Sequence, residues 1–126
     1  MRIQIKRVYE APDDDDGKRI LVDRLWPRGL SKVAAKIDFW EKEIAPSHEL
    51  RRWYGHDPEK WPEFKRRYFA ELRTNNEVVK RLLGFAGKGK VTFLYSSKEK
   101  RLNNAVALKE YIGSDFRTLI SGPLEQ

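Results

Sequence analysis

The chain has 126 residues, 40% of them hydrophobic and 12% aromatic, which is enough to build one globular domain with a real core. Cysteine is absent, so disulfides, thiolate zinc sites and cysteine-dependent catalysis are excluded. Lys and Arg outnumber Asp and Glu 26 to 19, and the formal charge of +7 favours anionic partners without saying which. A β-prone opening through Ile3, Ile5 and Val8 predicts a first strand ending at Tyr9. The connector APDDDDG follows. It lacks the alternating ligands and distal glutamate of a calcium loop, so Asp13 to Asp16 reads as a solvated turn, and no metal set is expected. Ile20 to Val22 and Val91 to Tyr95 are short continuous apolar runs of the kind buried on both faces of a sheet. The connector is short for a helical crossover, which leaves the direction of the first strand open.

Between those two runs the pattern is helical. Ser31 can cap a short helix, and Asp38 with Glu41 reads as a capping box ahead of Trp40 and Ile44, with Ala45-Pro46 ending that segment. Ser47 caps the helix of SHELRRWY, which Gly55 can close. Asp57-Pro58 is a strong start signal for a long amphipathic helix carrying Trp61, Phe64, Tyr68 and Leu72. Val78, Val79, Leu82 and Leu83 form another helix, stopped by Gly84, Gly87 and Gly89, and Ala105, Leu108, Tyr111 and Ile112 line a last one. The order predicts a single α/β domain over 1–126: a small, mostly parallel sheet of about three strands, helices packed on it, and the second and third strands adjacent and parallel. No run reaches membrane-spanning length, and charges occupy the place of a signal peptide's apolar region in MRIQIKRVYE. A cytoplasmic setting with no membrane partner is the expectation.

The stretch DRLWPRGL, Asp23 to Leu30, stands at the carboxyl end of the second strand, where open α/β sheets place their ligands. Arg24 and Arg28 suit planar, bidentate contacts with phosphate or carboxylate, and Gly29 lets the backbone approach. Lys32 adds charge behind the cap at Ser31, and Trp26 borders the same stretch. The third strand delivers Ser96, Ser97 and Asn103 to that edge as neutral partners. A structural brace is the competing reading, with Trp26 filling a gap and each guanidinium saturated by internal acceptors. A site arginine, Arg28 above all, keeps unused donors instead. His56 is the candidate acid or base, because Asp57 beside it is explained as a helix cap. The expected ligand is a phosphate- or nucleotide-like anionic small molecule, with enzymatic use of the site left open and no cofactor indicated.

Two other partners are compatible with the composition. A basic face joining Arg51, Arg52, Lys65, Arg66 and Arg67 would suit nucleic acid, provided these charges are not consumed by Glu49, Glu63 and Glu71. A protein-interaction role would need an exposed apolar patch at Trp53 or Phe116.

VDRLWPRGLSK, APSHELRRWYGHDPEKWPEF and VTFLYSSK followed by NNA together resemble the YeaO-like proteins, a family of small prokaryotic proteins. The resemblance spans the chain from Arg7 to about Tyr111 and implies an α/β domain in the cytoplasm. That family often has a histidine directly after the position of Asn103. Here it is Asn104, so no proton transfer is expected at that place.

Overall fold

A computed structural model describes residues 2–113. Nine elements follow in chain order: β1 (Arg2–Arg7), β2 (Lys18–Leu21), α1 (Lys32–Ala35), β3 (Phe39–Trp40), α2 (His48–Tyr54), α3 (Trp61–Arg73), α4 (Asn76–Ala86), β4 (Lys90–Tyr95) and α5 (Asn104–Tyr111). The strands form one sheet in the order β1-β4-β2-β3, and every pairing is parallel. The expected parallel neighbours, β2 and β4, do pair, with Ile20 opposite Phe93 and Leu21 opposite Leu94. β1 is parallel as well, Ile5 lying opposite Phe93.

Strand alternation divides the core between the two faces of the sheet. Ile20, Val22, Val91, Phe93 and Tyr95 pack with Phe64, Tyr68, Leu72, Val79, Leu82, Leu108 and Tyr111 from α3, α4 and α5. Leu21 and Leu94 point the other way, joining Val8, Ala35 and Ile37, with Trp26, Leu30 and Trp40 packed alongside. Residues of β2 and β4 are covered on both sides, which is why they read as unbroken apolar runs.

Three local expectations need correction. The segment read as a capped helix around Trp40 contains β3, so the sheet has four strands and not about three. Asp38 caps nothing there: its carboxylate accepts from the Arg19 amide at 2.8 Å, and its own amide donates to the Arg19 carbonyl. Glu41 is buried and takes a two-pronged contact from Arg81, at 2.7 and 2.6 Å. Pairing with β2 and a charge partner 40 residues away outweigh a local helix signal. The Asp-Pro signal holds its place, but it opens a 3-10 turn, Pro58–Lys60, ahead of α3.

The acidic connector is the third correction. Asp16 is only 1% exposed, and its carboxylate accepts from Gln4, Lys6, Arg19 and the Asp13 amide. Burial pushes its acidity the other way, but these hydrogen bonds and the Lys6 charge hold the carboxyl below its ordinary range. Gly17, next in the chain, has φ +64°, and a Cβ there would stand 2.3 Å from the Lys90 carbonyl oxygen. Only glycine fits so close to β4.

Candidate binding cleft

Because all four strands run the same way, the carboxyl ends of β1, β2 and β4 open on one side of the sheet. A cleft of about 680 Å³ lies there, walled by α2 on its far side. Arg7 comes from the end of β1, Asp23, Arg24 and Arg28 from the loop after β2, Ser96, Ser97 and Lys98 from the segment after β4, and His48, Arg51 and Arg52 from α2. His56 stands at the exit of α2, and Ala45, Pro46, Tyr54 and Phe64 supply apolar lining. Spacing explains the helical contribution: positions 48, 51 and 52 fall on one face of a 3.6-residue helix.

The lining has six Lys or Arg side chains against one carboxylate, Asp23. Asp23 is fully engaged, accepting from the Ser96 amide at 2.9 Å, the Ser96 hydroxyl at 2.8 Å and the Asn104 side-chain amide at 3.1 Å. It thereby ties the ends of β2 and β4 to the start of α5. None of the six cations has a carboxylate within salt-bridge distance among the described residues. Arg7 donates from Nε to the carbonyls of Ser96 and Ser97, at 3.1 and 3.0 Å. Arg52 donates to His48 Nε2 at 2.9 Å, which requires that ring nitrogen to be the acceptor, since a guanidinium only donates.

Arg24 and Arg28 differ. Arg24 donates once, from Nη2 to the Ala45 carbonyl at 3.1 Å, while its Nε is buried with no hydrogen-bond partner. Arg28 is exposed, and its guanidinium meets no acceptor among the described residues. Its backbone is fixed instead, the carbonyl accepting from the Tyr9 hydroxyl at 2.8 Å.

Other expected site residues take structural posts. Trp26 donates to the Leu30 carbonyl at 2.7 Å and meets Trp40 edge-on at 5.3 Å, so it braces the loop while bordering the cleft. Gly29 and Lys32 are not part of the cleft lining, because the chain turns away into α1, whose first turn is closed by the Ser31 hydroxyl on the Ala34 amide. Asn103 lines the cleft but spends its side chain capping α5 through the Val106 amide and donating to the Glu99 carbonyl. The Ser97 hydroxyl accepts from the Glu99 amide at 3.0 Å. His56 adopts φ +59°, a left-handed conformation that favours glycine, directly after Gly55 at φ +52°. Arg7, His48, Arg51, Arg52 and Lys98 were not assigned to this site from the sequence. For α2 the signal was present in the 48/51/52 spacing; for Arg7 it was the strand end itself.

A model of the family described as "Inactive DUF488-N3 subclade" matches residues 2–120. The Escherichia coli "Uncharacterized protein YeaO" is 44% identical over 114 residues, covering 90% of this chain and 99% of that protein. The chain belongs to the YeaO-like family. YeaO-like relatives include the Mycobacterium tuberculosis "Uncharacterized protein Rv3073c", 39% identical over 111 residues, 88% of this chain and 93% of that one. No solved structure matches.

The basic helical face expected for nucleic acid is partly neutralised by ion pairs in this YeaO-like domain. Arg66 and Arg67 both bind Glu63, whose carboxyl the Arg66 and Arg67 hydrogen bonds hold down at about 2, and Lys65 binds Glu110. Arg51 and Arg52 belong to the cleft. Trp53 is half-buried under Lys60 and Arg67, so it forms no open apolar patch, and Phe116 lies outside the described residues. No helix among the described residues is long and apolar enough to cross a membrane, and no group of three or more His, Asp or Glu there could hold a metal ion.

Proposed function

We propose that this YeaO-like domain binds a small phosphorylated anion in the cleft at the carboxyl ends of its strands. One observation carries the reading. Cations that pair with carboxylates, such as Arg19, Arg66, Arg67 and Arg81, lie elsewhere, whereas the six in the cleft have no carboxylate partner among the described residues. Gathering like charges in a concave site without counterions is unfavourable in the empty protein, and a bound anion relieves it. Arg28 and Arg24 supply the main donors, Arg7 and Lys98 add charge, and the Ser96 hydroxyl, which donates to Asp23, keeps its acceptor lone pairs toward protonated ligand oxygens.

Binding without turnover fits best. Both cleft serines are engaged in the frame, and no nucleophile paired with a base emerges from the hydrogen bonds of the described residues. The family description, "Inactive", agrees with a binding role. His56 then serves as a ligand contact at the mouth. A cytoplasmic setting belongs to the same proposal, since a chain without cysteine needs no oxidising compartment.

A thermal-shift titration in low salt tests this. Phosphate at about 100 times its dissociation constant should add roughly 2.7 kcal/mol to the folded state by mass action. Arg28→Ala should strongly reduce the shift without lowering the melting temperature of the free protein, because that side chain has no partner among the described residues. No shift with any phosphorylated compound, or the same shift in the variant, would remove the proposal.

A further inference from the structure

Resting on that reading, we propose that the ligand carries two phosphate groups, one held by the loop after β2 and the other by α2. Four of the cations stand on two walls, Arg24 and Arg28 on the loop and Arg51 and Arg52 on α2, with one bond between the walls, from Arg24 to the Ala45 carbonyl. On the loop wall, the Tyr9 hydroxyl fixes the Arg28 backbone at 2.8 Å, and Arg24 reaches the Ala45 carbonyl. On the helix wall, Ser47 donates from its amide and hydroxyl to Glu71 at 2.9 and 2.6 Å, and the Tyr54 hydroxyl donates to the Leu102 carbonyl at 2.8 Å. These bonds fix the backbones of the two walls, so Arg28 and Arg51 enter the cleft from different, separately anchored elements.

A single phosphate is saturated by about two guanidinium groups in bidentate contact. It would leave the opposite wall uncompensated in a cleft of about 680 Å³, a volume within the range that holds larger organic ligands. The lining also includes the apolar Ala45, Pro46 and Phe64, which suits the bridging part of a ligand and not its charged ends. A bisphosphorylated metabolite meets all three conditions, and pyrophosphate, whose two phosphates share one bridging oxygen, meets the first two. The Arg51 side chain is exposed and has no partner among the described residues, so replacing it leaves the fold alone.

Calorimetric titration of the full chain with inorganic orthophosphate and with inorganic pyrophosphate decides the matter, using Arg28→Ala, Arg51→Ala and, as a control for net charge, Arg2→Ala. Pyrophosphate should bind the native protein at least about tenfold more tightly. Arg51→Ala should cost pyrophosphate about fivefold or more and orthophosphate less than about twofold, while Arg28→Ala weakens both. Affinities within about threefold of each other, equal losses of both anions in Arg51→Ala, or an Arg2→Ala loss as large as that of Arg51→Ala would overturn the two-point grip and leave single-anion binding standing. Absence of binding by either anion would overturn the anion reading itself.

Discussion

Arg24 states the tension of the site within one side chain. Its Nη2 donates to the Ala45 carbonyl while its Nε is buried without a partner, a condition that costs about 1–3 kcal/mol. A bound anion would draw the guanidinium into full use. Arg24→Met keeps the aliphatic stem and removes the unsatisfied donor, so the empty variant should be more stable than the native protein by about 1 kcal/mol in urea unfolding. The same variant should lose most of its phosphate affinity. A stability loss instead would identify Arg24 as a brace of the Ala45 carbonyl. His56 shows a related compromise, a non-glycine residue held at φ +59° on the cleft wall.

Among the elements, the clearest case of chain segments held by charge is the connector between β1 and β2. Asp16 joins Lys6 of β1 to Arg19 of β2, and its carbonyl accepts from Thr92 of β4 at 2.7 Å. Asp16→Asn leaves Arg19, 3% exposed, without its charge partner, at a cost of about 3 kcal/mol. Since the folded carboxyl titrates below its ordinary 3.8, the ion pair's contribution is fully present above that value and fades as pH falls through the folded one. Urea unfolding should therefore show the gap between native protein and variant at its widest near neutral pH and shrinking below about pH 4. A gap that stays constant on acidification would mean that the loss comes from packing.

The same scale shows what the sequence makes legible. β2, β4 and the helices that pack on them are readable because local pattern and burial agree: alternate faces of Ile20 to Val22 and of Val91 to Tyr95 are both covered. β3 and Asp16 are not, because part of what buries them is remote. Glu41 is completed by Arg81, and Asp16, besides nearby Arg19, by Lys6 and Thr92, which no local window brings beside them. The cleft was half legible for the same reason. Arg24 and Arg28 announce themselves at a strand end, whereas Arg51 and Arg52 look like an ordinary solvated helix face until α2 is anchored by Ser47 and Glu71.

For the whole molecule, the net charge of +7 matters less than its distribution. α3 neutralises Arg66 and Arg67 with Glu63 and buried Arg19 is matched by Asp16, while six cations without a carboxylate partner among the described residues gather where parallel strands end and α2 faces them. The most direct measurement of that claim is a phosphate titration followed by the Nε–Hε resonances of the arginines in low salt. Arg24 and Arg28 should shift with a common saturating curve, with Arg7, Arg51 and Arg52 following to a lesser extent, while Arg19, Arg66, Arg67 and Arg81 stay still because carboxylates already hold them. Small, unsaturated shifts spread evenly over all the arginines, or movement confined to those outside the cleft, would contradict an anion site at the end of this sheet.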